Sequence, residues 1–248
     1  MIPKVIHYCW FGRGKMPQLA QMCMESWVKY LPDYKLKLWD EDSFDINSVP
    51  YVKEAYQSRK FAFVTDYVRL YALFNEGGIY MDTDVEVLKS FDDLLYLPAF
   101  SGYESNKFSS FPTGIMASAK GGVWVEEQLV YYKDIHFIKS DGSYDMTTNT
   151  QTISQIMAEN GFELNGKCQV YKNDMHCFPK DYFCPMSSTR VLKLTKNSYC
   201  IHHFAASWYT PGPLKRIKNF IYKRILGAKL TDYLVQFKRG IVSKKIVR

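Results

Sequence analysis

The stretch "FNEGGIYMDTDVEV", residues 74–87, decides how this chain folds. A helical pattern runs into it, two glycines interrupt that pattern, a four-residue apolar strand follows, and two aspartates then stand one residue apart. Gly77 and Gly78 suit a helix stop, because a residue without a Cβ accepts positive φ and lets another backbone approach closely. In an extended segment residues i and i+2 point the same way, so Asp82 and Asp84 at a strand end are expected to converge on one point. Two carboxylates that close repel unless a cation or proton lies between them. Hard oxygen ligands of this kind suit Mg2+ or Mn2+, which in turn hold phosphate oxygens. Solvated turn aspartates are common, so a DxD alone is a weak signal; the glycines and the buried strand before it give this one its weight.

Upstream, Phe63, Tyr67, Leu70 and Phe74 form one apolar stripe and Phe61, Val64, Val68 and Tyr71 another, which leaves a narrow face of Thr65, Asp66 and Arg69. A helix apolar nearly all round is a buried helix. Asp66 and Arg69, three apart on one face, must then share a polar pocket, either as a structural ion pair or as part of a site. Further out, "KVIHYCW" reads as a buried first strand, "LAQMCMESWVKYL" as a helix and "YKLKLW" as a second strand, a β-α-β opening that points to parallel strands with helices packed on them. Helices are expected over 51–59, 61–75, 122–136 and 150–160, and strands at "GIYM", "AFSGY" and "GIMAS". Residues 168–200 read as short strands and loops. "TPGP" at 210–213 breaks the chain, and beyond it apolar residues at helical spacing predict two basic amphipathic helices.

At 248 residues, with 47% hydrophobic and 16% aromatic residues, the chain can bury one large α/β core. Its many Tyr and Trp residues offer flat faces with polar tips, suited to clefts for rings and sugars. Six scattered cysteines without CxxC pairs indicate neither a zinc ribbon nor a disulfide framework, and reduced thiols in a cytoplasm are the expectation. No signal peptide or spanning helix is expected, because no stretch has the required apolar run. The net charge of +7 is unevenly divided. Residues 211–248 carry eleven Lys/Arg against Asp232 alone, which leaves 21 bases and 24 acids in the remainder. An acidic body with a basic tail argues against a nucleic-acid partner and for an anionic surface that the tail touches.

Three ordered segments, "IPKVIHYCWFG" at the start, "AFVTDYVRLYALFNEGGIYMDTDVEVL" in the middle and "IHHFAASW" at 201–208, together resemble the DXD-containing sugar transferases of glycosyltransferase family 32, notably bacterial capsular polysaccharide glycosyltransferases. The resemblance covers about residues 1–210. It implies an α/β GT-A fold, a Rossmann-like mixed sheet flanked by helices, as a catalytic domain at 1–210 with the basic helical extension at 211–248. It also implies a nucleotide-sugar donor, a divalent metal (Mn2+ or Mg2+) and retention of anomeric configuration. By that resemblance Trp10 would stack on the donor base, with the backbone near Ile6 and His7 reading the base edge. Asp66 and Arg69 would hold ribose or donor-sugar hydroxyls and the diphosphate side, with Tyr80 beside them. Asp82 and Asp84 would bind the metal, Asp84 most directly, with His203 rather than His202 as the last ligand. Ser207 and Trp208 would contact the diphosphate, and Tyr103, Glu104 and Thr113 would line the acceptor pocket. On sequence alone Trp10 can equally be a core residue that closes the first strand.

The expected reaction moves a hexose, with UDP-galactose or another UDP-hexose the first choice of donor and GDP-mannose the second. The acceptor is a glycan or lipid-linked saccharide in surface polysaccharide synthesis, met at the inner face of the cell membrane where the tail docks peripherally. Two rivals stand beside it. An aspartyl-phosphate type phosphatase also uses a DxD after an apolar strand, but such enzymes usually want Thr or Val where this chain has Glu86, and they place the motif near the start. A nucleotide-sugar-binding module without turnover is the other. "GRGK" at 12–15 lacks the GxxxxGK[ST] spacing of a phosphate loop.

Overall fold

The computed structural model describes residues 1–104, 111–112, 114–187 and 190–205. Thr113, Ser207, Trp208, the expected boundary at 210/211 and the tail helices of 211–248 lie outside the described residues. The β-α-β opening is present as β1 (Val5–Cys9), α1 (Gln18–Tyr30) and β2 (Lys35–Trp39), with β1 and β2 parallel. Helices α2 (Pro50–Gln57) and α3 (Phe61–Glu76) follow, then β3 (Gly78–Met81), which pairs parallel with β1. Beyond it come β4 (Val85–Val87), β5 (Ala99–Gly102), β6 (Ile115–Ser118), α4 (Val123–Tyr131), α5 (Asn149–Glu159), β7 (Gln169–Tyr171), β8 (Met175–Phe178), α6 (Lys180–Phe183) and β9 (Cys200–His202).

Seven strands form one sheet in the order β2-β1-β3-β6-β5-β8-β7, parallel through β3 and then mixed, as β6 runs antiparallel to both β3 and β5. The expected α/β class, a mixed sheet flanked by helices, is what the structure shows. The region from 168 to 200, legible only as short strands and loops, extends this sheet: β8 pairs parallel with β5, and β7 pairs antiparallel with β8. β4 and β9 form a separate antiparallel pair.

Strand alternation divides the core in two. Tyr80 and Met116 face one cluster, which also receives Phe63, Val64, Val68 and Leu70 of α3 and Trp124 of α4. Ile79, Met81, Ile115 and Ala117 face the other, which is closed by Trp27 of α1 and by Val85 and Val87 of β4. Helix α3 is buried nearly all round, Asp66 and Arg69 included, so a charged pair is carried into the interior by the helix that holds the sheet. Its C-terminus needs both glycines. Gly77 has φ +68°, and a Cβ there would lie 2.6 Å from the backbone N of Lys120; Gly78 has φ +122°, and a Cβ there would lie 2.7 Å from the Val5 carbonyl oxygen. The turn from α3 into β3 is thus built against the first strand and against the segment after β6.

All six cysteines are free thiols, and only Cys168 is exposed. Among the described residues no helix is long and apolar enough to cross a membrane.

Candidate active site

The parallel strands β1 and β3 deliver residues to one end of the sheet, the end where open α/β sheets bind ligands. Asp82 follows β3 on the face that carries Tyr80, the face covered by α3. The Tyr80 hydroxyl donates to Asp82 Oδ1 at 2.8 Å. Arg69 reaches the same oxygen at 3.3 Å and Asp66 Oδ1 at 3.3 Å, with its guanidinium 4.5 Å from the centre of the Tyr80 ring. Burial pushes the Asp66 carboxyl up to about 6, against the opposing pull of Arg69 and of the Asn149 backbone N–H, which donates to Asp66 Oδ2 at 3.1 Å. Asp66 and Arg69 are therefore both an ion pair and neighbours of the DxD.

Asp82 and Asp84 do converge, but by a different route from strand alternation. Residues 82–85 form a turn, with the Val85 N–H donating to the Asp82 carbonyl at 3.0 Å, before β4 begins. The turn swings Asp84 back beside Asp82. The Asp84 Oδ2 accepts the Ala205 N–H at 2.7 Å, while Oδ1 lies 3.4 Å from His202 Nε2; Asp82 Oδ2 lies 3.9 Å from the same nitrogen. Burial disfavours the charged Asp84 carboxylate, but the His202 hydrogen bond and charge and the Ala205 N–H outweigh it and hold its pKa below the usual range. Burial likewise works against a charged His202, and the Asp84 carboxylate overcomes it and raises the imidazole pKa well above its ordinary value.

Of the two histidines, the structure brings His202, not the expected His203, to the aspartates. His202 is the last residue of β9 and turns toward the two aspartates. His203, one residue on, turns to the opposite side of the strand, where its Nε2 meets Glu86 Oε2 at 2.8 Å. The physical reason is the two-residue side-chain period of a strand. Among the described residues Asp82, Asp84 and His202 form a cluster whose potential ligand atoms all lie within 4.8 Å of one another. Two carboxylate oxygens and an imidazole nitrogen suit Mn2+ or Mg2+, and one oxygen of each carboxylate is already fixed by protein donors, so the donor set fits such an ion. His202→Ala is expected to weaken Mn2+ binding by at least about tenfold, and His203→Ala to leave it near the wild-type value; titration of the metal-free protein followed by electron paramagnetic resonance compares them.

Ile6 and His7 are not at the cluster. Both sit in a strand paired on each side, at Leu36 and Ile79 and at Lys37 and Tyr80, so their backbone groups lie within two ladders. The His7 ring is fully buried; it donates from Nε2 to the Gly77 carbonyl at 2.7 Å and accepts at Nδ1 from the Trp39 indole at 3.0 Å. Burial lowers its pKa, as befits a neutral ring that bridges the first two strands to the helix stop. The backbone expected to read a base edge is thus engaged within the sheet.

Trp10 follows the end of β1 and is only half-buried, with its indole N–H donating to the Gly14 carbonyl at 2.6 Å. It does not close the core, and its ring stands at the same end of the sheet as Asp82. Trp10→Ala is therefore expected to cost far less than the about 3–5 kcal/mol of a truncated core Trp. If the ring stacks on a base, nucleotide affinity should fall by about 1–3 kcal/mol. Thermal unfolding and nucleotide titration of one preparation measure both.

Of the acceptor candidates, Glu104 is at the site, its Oε1 3.8 Å from His202 Nδ1. Tyr103 is not: it is fully buried, stacked on Phe162, with its hydroxyl donating to the Glu163 carbonyl at 3.1 Å. Both residues follow the end of β5, where the chain leaves the sheet, and Tyr103 turns into the core while its neighbour reaches the cluster. Three residues that sequence reading passed over also belong here. Asn149, at the start of α5, donates from its side-chain amide to the Asp66 carbonyl at 3.2 Å as well as through its backbone; the capping box formed by Thr148 and Gln151 could have signalled that helix start. Ala205 contributes only a backbone N–H, which no residue type announces. Gly114 stands opposite Asp82.

Residues 17–100, which include Asp82-Thr83-Asp84, match the family described as "Glycosyltransferase sugar-binding region containing DXD motif". The chain is 32% identical over 124 residues to inositol phosphoceramide mannosyltransferase 3 of Schizosaccharomyces pombe, covering 48% of this chain and 34% of that protein. It is 28% identical over 253 residues to mannosyl phosphorylinositol ceramide synthase CSH1 of Saccharomyces cerevisiae, covering 96% of this chain and 60% of that protein. It thus spans between about a third and three fifths of the length of these two relatives. Among solved structures the PaToxG glycosyltransferase aligns with a TM-score of 0.48 at 18% identity, over 64% of this chain and 70% of that one. Over residues 17–100 this chain is thus similar to a DXD-type glycosyltransferase sugar-binding region, and the proteins it resembles include a mannosyltransferase.

Proposed function

We propose that this chain is a metal-dependent hexosyltransferase that moves a sugar from a nucleotide sugar to a glycan or lipid-linked saccharide. The observation that carries the reading is the cluster of Asp82, Asp84 and His202 beside the buried Arg69, at the sheet end where Trp10 also stands. A bound divalent cation would supply positive charge to offset the charge developing on the departing diphosphate. Asp82, Asp84 and His202 would hold it. Arg69, fixed by Asp66, Asp82 and the Tyr80 ring, adds a second positive charge that needs no reorganisation as the bond breaks. Glu104 would meet an acceptor hydroxyl, and Trp10 would give a flat face to the donor base. Ser207 and Trp208 complete the diphosphate contacts in this proposal. Retention of anomeric configuration is part of it and rests on the family resemblance.

The donor is a nucleotide hexose. UDP-galactose was the first expectation from the sequence, and the relatives' names, which are those of mannosyl-transferring proteins, favour mannose as the competing sugar. A panel of UDP- and GDP-sugars with Mn2+, followed for slow donor hydrolysis without acceptor, names the donor. Hydrolysis of a simple phosphomonoester in place of every nucleotide sugar would overturn the transferase reading in favour of an aspartyl-phosphate phosphatase. Binding of a nucleotide sugar without turnover, with or without saccharide acceptors, would favour the non-catalytic module.

For the basic segment 211–248 the proposal is peripheral docking at the inner face of the cell membrane, in surface polysaccharide synthesis. Its support is the charge count of eleven Lys/Arg against one Asp and the helical spacing of its apolar residues. The full chain is expected to sediment with vesicles of about 30% anionic lipid at low salt and to be released at high salt, since each base near such a surface contributes about 1 kcal/mol. Equal sedimentation with neutral vesicles would remove the electrostatic reading.

A further inference from the structure

We infer that Gly114 sets the clearance of the Asp82–Asp84–His202 cluster, and that a side chain at this position closes the space in which these groups take a cation. The inference rests on the reading of that cluster as a cation site.

Gly114 immediately precedes β6, whose antiparallel register with β3 pairs Met81 with Ile115. One step further along the same register, the Asp82 N–H donates to the Gly114 carbonyl at 2.8 Å. Residues opposite each other on antiparallel strands send their side chains to the same face. Any side chain at 114 would therefore rise beside the Asp82 carboxylate, on the side where His202 stands. A Cβ on Gly114 would lie 2.8 Å from Asp82 Oδ2, and 3.2 Å from both Cε1 and Nδ1 of His202. It would thus enter the gap between two of the three groups that must converge.

Neither of those groups can readily move aside. Asp82 is held at its other oxygen by the Tyr80 hydroxyl and Arg69, and the His202 ring is stacked on Phe204 with centroids 4.3 Å apart and is fixed at its backbone by the pairing of β9 with β4. Backbone freedom is not what requires glycine here. Gly77 and Gly78 adopt φ of +68° and +122°, whereas Gly114 lies outside the left-handed region, so alanine could take its backbone conformation. What the position lacks is room. Gly114 is accordingly a positioning residue. Its carbonyl fixes the start of the DxD turn, and its missing side chain leaves Asp82 Oδ2 and the imidazole close enough to share one ligand.

The test is Mn2+ titration of the metal-free full chain, read by the resonance of free Mn2+, for the wild type, Gly114→Ala and Asp84→Asn, with thermal unfolding of each. Gly114→Ala is expected to remain folded and to bind Mn2+ about 10- to 100-fold more weakly, while Asp84→Asn loses binding. Wild-type affinity in Gly114→Ala, with binding lost in Asp84→Asn, overturns the clearance inference and leaves the cation site standing. Identical titrations of the wild type and Asp84→Asn remove the cation site and the inference with it. Should Gly114→Ala fail to fold, the double variant Gly114→Ala/Asp82→Ala decides, because it removes the carboxylate oxygen that lies nearest the added Cβ. Melting like that of Asp82→Ala alone supports the steric account, and continued misfolding relative to Asp82→Ala overturns it.

Discussion

Asp84→Asn is expected to abolish sugar transfer, with a loss of at least about 10²–10³-fold, while the protein melts within a few degrees of the wild type. The asymmetry follows from what each oxygen of Asp84 does. Oδ2 accepts the Ala205 N–H, a role an amide oxygen can also fill, so the link between the DxD turn and the segment after β9 survives. Oδ1 faces His202, and its negative charge is what a cation there requires. The depressed pKa of Asp84 shows that the metal-free fold favours its charge beside His202, so the amide costs a modest part of the stability at neutral pH. Donor hydrolysis in Mn2+, Mn2+ titration and a thermal melt on one preparation separate the effects. Near-normal turnover by this variant would falsify the metal-site reading.

Arg69→Ala is expected to produce the largest loss of stability of any single change at the site, about 3–5 kcal/mol, because it leaves the buried Asp66 without its cation. The structure makes the cost specific: Arg69 is inside, joins Asp66 to Asp82, and packs on the Tyr80 ring. Its sign with pH can be worked out. Burial has raised the folded-state pKa of Asp66 to about 6, so folding already penalises the ionised form, and this part of the stability falls as pH rises from the unfolded value through about 6. Without Arg69 the penalty grows and extends to higher pH. The deficit of Arg69→Ala should therefore be larger at about pH 7.5 than at about pH 5, and Asp66→Asn in the same chain should recover part of it. Chemical denaturation at the two pH values measures this. A deficit independent of pH would mean that lost packing on Tyr80, not the stranded carboxylate, is the cause.

Much of this protein was readable from local rules. Gly77-Gly78 announced the end of α3, the β-α-β opening announced β1, α1 and β2, and two apolar stripes around Asp66 and Arg69 announced a buried helix with a charged pair inside. These features were legible because each depends on residues within a few turns of one another: a period of 3.6 or 2, a missing Cβ, a spacing of three. The DxD itself was legible as a pair of converging carboxylates for the same reason, although the turn that brings them together was not.

Tertiary structure decided everything that depends on which strand lies beside which. In "IHHFAAS" two adjacent histidines are equivalent as letters, and only the pairing of β9 with β4 sends His202 to the aspartates and His203 to Glu86. Tyr103 and Glu104 are likewise neighbours, just past the end of β5, and one turns to the core and the other to the site. His7, whose backbone was expected to read a base edge, has a side chain that bridges the Gly77 carbonyl and the Trp39 indole, a role set by partners 70 and 32 residues away. Gly114 carries no chemistry of its own, and its meaning comes from standing opposite Asp82 across an antiparallel register. Sequence determines which groups a segment offers and with what period, because those follow from covalent geometry. Which of those groups meet is settled by strand register, since a shift of one residue exchanges the two faces of a strand and with them the ligand and the bystander.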